Sequence, residues 1–262
     1  MRKSELWVLN FIENEVLTNE PPKQDWLAKV VGEFSLYCYI CSSKGGINPF
    51  VRETLETLDA LHFDSPHFKL LSCQVLGKEL DKSLLLSAEG SLEYDFLSYS
   101  CFKTSVNWTF RASMFLESFF LNGFNIENAY FLTHVIFYST DFGKKNYWDS
   151  KPRTKNLLSD CLEKYAQQFS KEENWDLLQE IYLAQVYLSP HKKKQTFTSF
   201  KQIESYFVSK DGWCLSDGKR IEYYERNYHQ LPFIQKYSLF HTTIINLMLK
   251  IELSDVGVSS QT

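Results

Sequence analysis

The run Asn125-Ile-Glu-Asn-Ala-Tyr-Phe-Leu-Thr-His-Val-Ile-Phe-Tyr-Ser-Thr-Asp-Phe-Gly143 limits what this chain can become more than any other stretch. Its Phe, Leu, Val and Ile fall on all sides of a helix, so other elements must cover it all round. One line of polar groups breaks that pattern. Residues three, four and seven apart share a helix face, which aligns Tyr130, His134, Tyr138 and Asp141. Polar groups taken out of water need partners. The helix must therefore face either a polar cavity or an internal hydrogen-bond network.

The rest of the chain carries the same helical period. Leu6, Leu9, Phe11, Ile12 and Val16 outline a first amphipathic helix, closed at Asn19-Glu-Pro-Pro22. A second runs from about Gln24 to Cys41, with Leu27, Val30, Val31, Phe34 and Cys38 on one face. Asn48-Pro49 and Ser65-Pro66 each place a capping side chain before a proline at the first helical position. Further helices fit 91–103, 108–122, 125–141, 154–170, 173–188, 198–208 and 232–252. No strand alternation is sustained, and ten Gly and seven Pro are too few for an all-β chain of many tight turns. The expected fold is all-α: about eleven helices packed as successive antiparallel hairpins, in a solenoid, toroid or compact bundle. Residues 1–252 form one helical domain and 253–262 a frayed tail. Ser189–Thr196 reads as an exposed loop. Ser209–Gln230 reads as an irregular segment, long enough to act as a lid or docking element.

Composition removes several functional classes. The net charge is −4, which leaves no basic excess to neutralise phosphates, so no nucleic-acid partner is expected. No apolar run reaches the roughly 20 residues of a membrane helix, and the chain opens without a signal-peptide block. A cytoplasmic location follows, with the six cysteines as free thiols. Cys38-Tyr-Ile-Cys41 lies within a helix and lacks a second pair at zinc spacing. Asp141-Phe-Gly143 lacks the other elements of a kinase. No phosphate loop, dinucleotide fingerprint, Gly-x-Ser-x-Gly or His-Glu-x-x-His is present. No metal site and no cofactor can be assigned from these patterns.

Three positions remain as candidates. His134, flanked one turn away by Tyr130 and Tyr138, suits a proton-transfer role in which a tyrosine fixes the imidazole tautomer. His134 and Asp141 lie roughly 10.5 Å apart along the axis, too far to share one ion on a straight helix, so they mark two ends of a cavity. His241 sits in the apolar last helix one turn after Tyr237, with Thr242 and Thr243 beside it. Arg111, in a helix apolar nearly all round, needs a carboxylate, and Asp141 on the following helix is the expected partner. Glu172–Asp176 reads as a solvated charge grouping at a helix start.

The segment from Ala129 to Gly143 resembles the hallmark Ala-x-x-Leu-Thr-His-x-x-Phe-Tyr-x-Thr-Asp-Phe-Gly of an uncharacterised bacterial helical family, a domain of unknown function. Phe240-His-Thr-Thr243 resembles a second motif near the end of its members. The resemblance implies an all-helical fold of packed hairpins and an association with natural-product pathways, peptide-modifying ones among them. It gives His134, Asp141 and His241 more weight than spacing alone.

Two functions are therefore expected. The first is a partner or binding protein for a precursor peptide or a catalytic subunit, as in bacterial peptide natural-product biosynthesis. The second is a small-molecule or peptide-modifying enzyme, with His134 as general acid or base and Asp141 and His241 as its catalytic companions. Tyr130, Tyr138, Arg111 and Tyr237 would then contact substrate.

Overall fold

The structure is a computed structural model, and it describes residues 2–18, 23–61, 63–88 and 90–258. These hold twelve α-helices: α1 (Lys3–Phe11, continued by a π-helical turn, Ile12–Val16), α2 (Gln24–Ser43), α3 (Pro49–Ala60), α4 (Pro66–Leu76), α5 (Leu92–Phe102), α6 (Trp108–Asn122), α7 (Ile126–Ser139), α8 (Pro152–Lys171), α9 (Trp175–Leu188), α10 (Lys193–Phe207), α11 (Ile221–Asn227) and α12 (Phe233–Val258). There is no sheet among them, only an isolated antiparallel bridge between Val208 and Cys214. The Asn19–Pro22 break lies outside the described residues.

Helix starts follow the capping chemistry of the sequence. The side chains of Asn48, Ser65 and Asn125 accept hydrogen bonds from the backbone N–H of Phe50, Phe68 and Asn128. Asn107 and Asn174 do the same for α6 and α9. Each such cap contributes about 1 kcal/mol.

Packing gives the molecule a ring. α2 touches α4, α4 touches α5, α5 touches α7, α7 touches α9, α9 touches α12, and α12 returns to α2. The remaining long helices form an outer layer. α1 lies on α12, α3 on α2 and α4, α6 on α7, α8 on α9, and α10 on α9 and α12. This double layer explains α9, in which every residue except Gln185 is buried. α9 is enclosed by four neighbours, and its apolar residues have no solvent-facing side.

Three expectations need correction. Ser189–Thr196 is not an open loop: a 3-10 turn over Pro190–Lys192 leads directly into α10. The last helix does not fray at Leu253 but runs on to Val258, with Leu253 buried; residues 259–262 lie outside the described residues. Ser209–Gln230 is irregular only in part. Trp213, Cys214 and Leu215 are buried, α11 interrupts the segment, and Cys214 donates its N–H to Thr243 Oγ1 of α12 at 2.9 Å.

All six cysteines are free. Within the Cys-x-x-Cys pair of α2, burial pushes Cys38 well up and Cys41 to about 11, so both are protonated at neutral pH. No described helix is long and apolar enough to cross a membrane.

Candidate functional site

The six-helix ring encloses a cavity of about 880 Å³. Each ring helix contributes polar groups to its lining: Glu33 from α2, His67 from α4, Glu93 from α5, Tyr130 and His134 from α7, Asp176 and Glu180 from α9, Tyr237 and His241 from α12. Ser216 and Asp217, from the irregular segment before α11, also line it. Further along α7 and α12 the lining turns apolar, with Phe137, Phe142, Ile244, Ile245 and Met248. One end of the cavity is thus acidic and imidazole-rich, and the other is oily.

The acidic end is built around His241. Its Nδ1 lies 2.9 Å from Glu33 Oε1, and its Nε2 lies 3.4 Å from both Asp176 Oδ1 and Glu180 Oε1. Asp176 and Glu180 are one turn apart on α9, which sets them on the same face, and they are only 7% and 1% exposed. Each carboxylate is oriented by its second oxygen. Tyr130 donates to Asp176 Oδ2 at 2.6 Å, and Thr133 donates to Glu180 Oε2 at 2.6 Å. Thr242 donates to Asp176 Oδ1 at 3.0 Å, and the Tyr237 hydroxyl donates to Glu33 Oε1.

The electrostatics follow from this crowding. Burial opposes charge on His241, but Glu33, Asp176 and Glu180 outweigh it and hold its pKa well above the usual imidazole value. Glu180 is held below the usual carboxylate value: burial pushes it up, and contact with His241 and the nearby His134 pulls it down further. Asp176 is raised, burial being the main cause. His67 on α4, half-buried with its Nε2 covered, is lowered by desolvation against the pull of Glu93 and Glu33. Three buried atoms here, Glu33 Oε2, His67 Nε2 and His241 Nδ1, have no hydrogen-bond partner among the described residues. Such orphans are uncommon in folded proteins and call for an explanation.

Five residues singled out from the sequence share this cavity: His134, His241, Tyr130, Tyr138 and Tyr237. The tyrosine beside His134 has a different task from the one its spacing suggests, because the Tyr130 hydroxyl goes to Asp176. Asp141 and Arg111 do not line the cavity. Arg111 pairs with Asp95 of α5 at 2.7 Å and not with Asp141, because α6 presents this residue toward the preceding helix. Asp141 ends α7 in a turn where Asp141, Phe142 and Gly143 all have left-handed φ, at 49°, 52° and 79°. Its carboxylate accepts from the Tyr39 hydroxyl at 2.7 Å and lies near the Lys144 and Lys145 ammonium groups at 4.0 and 3.7 Å. These donors offset the negative end of the helix dipole. Phe142 is buried and stacks on Phe137. The Thr-Asp-Phe-Gly sequence therefore locks the end of α7, and His134 with it.

Four participants escaped sequence reasoning. Asp176 and Glu180 carried a usable signal: acidic residues one turn apart in the largely apolar Trp175–Leu188, which is a buried helix and not a solvated start. Glu33 sits one position before Phe34 in α2 and has no comparable flag. His67 hides in the first turn after the Ser65-Pro66 cap.

Among known sequences, a family described as a domain of unknown function (DUF6895) matches residues 121–205. That stretch spans the end of α6 through most of α10, so it carries His134, Asp176 and Glu180 but not Glu33, His67 or His241. No curated protein and no solved structure matches the chain. Over the matched stretch the chain is similar to a family without an assigned activity.

Proposed function

We propose that the chain is an enzyme that performs acid–base chemistry on a small organic or peptide-derived molecule bound inside the ring. The observation that carries this reading is the meeting of three imidazoles, from α4, α7 and α12, on one cavity of about 880 Å³ with an oily far end. That volume is in the range of small-molecule sites, and convergent polar groups on an apolar wall are their usual lining. The buried carboxylates and the orphaned polar atoms weaken the fold, so a role beyond stability is the economical explanation. His134 is the proton-transferring group. It lines the cavity between Tyr130 and Phe137, and among the described residues it makes no hydrogen bond of the kind that fixes Asp176 and Glu180. The substrate fits with an apolar body among Phe137, Phe142 and Met248 and a hydrogen-bond-donating or cationic head toward Glu33, Asp176 and Glu180.

The test is to incubate purified protein with a metabolite extract and a short-peptide library and follow consumed species by mass spectrometry. His134→Ala should abolish any consumption while its circular dichroism stays that of the parent. Equal consumption by both proteins, or none by either, would count against the proposal.

A binding role for a precursor peptide or a catalytic subunit is favoured by a different feature. Phe110, Met114 and Leu121 line one side of α6, and Phe120, Phe124 and Ile126 continue the apolar surface across the α6–α7 connection; Phe120 and Leu121 are 73% and 76% exposed. Contiguous apolar surface of this kind marks interaction sites. Light scattering of the parent and of Leu121→Lys separates the cases, since a chain that is monomeric in both forms, with no peptide bound, gives the surface no occupant.

A further inference from the structure

We infer that Asp176, Glu180 and His241 are the protein ligands of a divalent transition-metal ion, with Zn²⁺ the best fit, and that its remaining coordination position opens on the cavity. The inference rests on reading this cavity as the working site, and it names what would hold a reacting group there.

Spacing is the first argument. One ligand atom from each of the three residues lies within 4.8 Å of the others. His241 Nε2 stands 3.4 Å from Asp176 Oδ1 and 3.4 Å from Glu180 Oε1. A charged N–H···O⁻ hydrogen bond closes to about 2.7–2.9 Å, so the imidazole is not drawn tightly to either carboxylate. Bonds of about 2.0–2.2 Å to a tetrahedral ion place neighbouring donors about 3.3–3.5 Å apart. Both separations from the imidazole are those of ligand edges, and the two carboxylates lie within 4.8 Å of one another.

The surrounding contacts give the second argument. A ligating histidine ordinarily offers its other ring nitrogen to a carboxylate, and ligating carboxylates are themselves hydrogen-bonded. Glu33 Oε1 is 2.9 Å from His241 Nδ1; Nδ1 has no hydrogen bond as it stands, and a small rotation of either side chain would make one, leaving Nε2 as the lone-pair nitrogen facing Asp176 and Glu180. Tyr130 and Thr133 bind Asp176 Oδ2 and Glu180 Oε2, which are the oxygens turned away from the imidazole. Thr242 shares Asp176 Oδ1 with it, an oxygen with two lone pairs. The outer oxygens of both carboxylates are thus filled, a carboxylate stands beside the outer nitrogen of the imidazole, and the centre of a three-ligand site lies between the inner atoms.

Charge is the third argument. Glu33, Asp176 and Glu180 bring three carboxylates together, and the ion pairs of Asp176 and Glu180 run to His241 alone among the described residues. One imidazolium leaves an excess of negative charge in a buried place, which a divalent cation would offset. Three protein ligands from α9 and α12 with one position left open are the pattern of catalytic and not structural zinc.

The test uses the full chain stripped with EDTA and titrated calorimetrically with Zn²⁺. Binding of one ion per chain is expected. It should weaken at least about tenfold in His241→Ala and Glu180→Gln, and about 10- to 100-fold in Glu33→Gln, which touches only the far side of the imidazole. Co²⁺ in place of Zn²⁺ should give the visible absorption of a tetrahedral site, lost in the same variants. Where His241→Ala fails to fold by circular dichroism, Glu33→Gln keeps a hydrogen-bonding side chain and carries the comparison. Absence of binding, or binding unchanged in every folded variant, overturns the inference; the second result would place the ion on the thiols or the surface. No substrate is needed, so failure here leaves the His134 turnover experiment to stand or fall separately.

Discussion

Removing the imidazole at position 241 should be among the most damaging single changes to the metal-free protein. His241 is the cation between Glu33, Asp176 and Glu180, at 2.9, 3.4 and 3.4 Å. His241→Ala deletes it and leaves Asp176 and Glu180 buried with no other ion-pair partner among the described residues. Breaking a buried ion pair from one side costs about 3–5 kcal/mol, because the remaining charge is left uncompensated. Total stability is about 5–15 kcal/mol, so a large share would be lost. For a domain of this size, about 2–4 °C of melting temperature accompanies each kcal/mol. The expected fall is therefore about 6–20 °C, read by thermal denaturation at pH 7 in EDTA. Adding Glu180→Gln should recover part of the loss, since it removes one of the stranded charges. A His241→Ala protein that melts within about 2 °C of the parent would refute the picture of a central imidazolium, and so would a double variant less stable than the single one by the full cost of Glu180→Gln alone.

Other consequences concern the parts that hold the cavity open. Gly143→Ala should destabilise by more than the roughly 1–2 kcal/mol of a left-handed residue, because φ is +79° and a Cβ there would sit 2.7 Å from Tyr187 Cδ1; urea denaturation reads it. Tyr39→Phe removes the donor 2.7 Å from buried Asp141 and should cost about 1–3 kcal/mol without altering ion binding in the cavity, a separation that calorimetry checks. Burial lowers the His67 pKa, so the unfolded chain takes up that proton first as pH drops. His67 should therefore cost the parent stability as pH falls below about 6.5, read as the difference between parent and His67→Gln denaturation curves from about pH 6.5 to 5, below the range in which the raised His241 acts in the opposite direction.

The fold was largely legible in the chain because its cues are local. Asn48-Pro49, Ser65-Pro66 and Asn125 each name a helix start, and each caps as expected. Helix α11 and the first turns of α10 were missed, since Lys192-Lys-Lys-Gln195 carries no apolar period and Ile221–Asn227 is only seven residues long. The ring closure was not legible, because it depends on α12 returning to α2 across the whole chain. For the site, His134 and His241 stood out as polar groups in apolar helices. Asp176 did not, because an acidic residue near a helix N-terminus is ordinary on a surface, and only the outer layer formed by α8 and α10 makes α9 interior. Arg111 was given the wrong partner because short-linked helices were assumed to share their charges. The helix register instead turns it back to Asp95.

The claim beneath all of this is that histidines from separate helices meet in one enclosed, strongly charged space. Nitrogen-15 NMR of the imidazoles across pH, in EDTA and with resonances assigned through His67→Gln and His241→Ala, reads that space directly. The account predicts that His241 keeps its proton well above pH 6.5 while His67 titrates below it. Both rings titrating together near 6.5, as histidines in open water do, would contradict it.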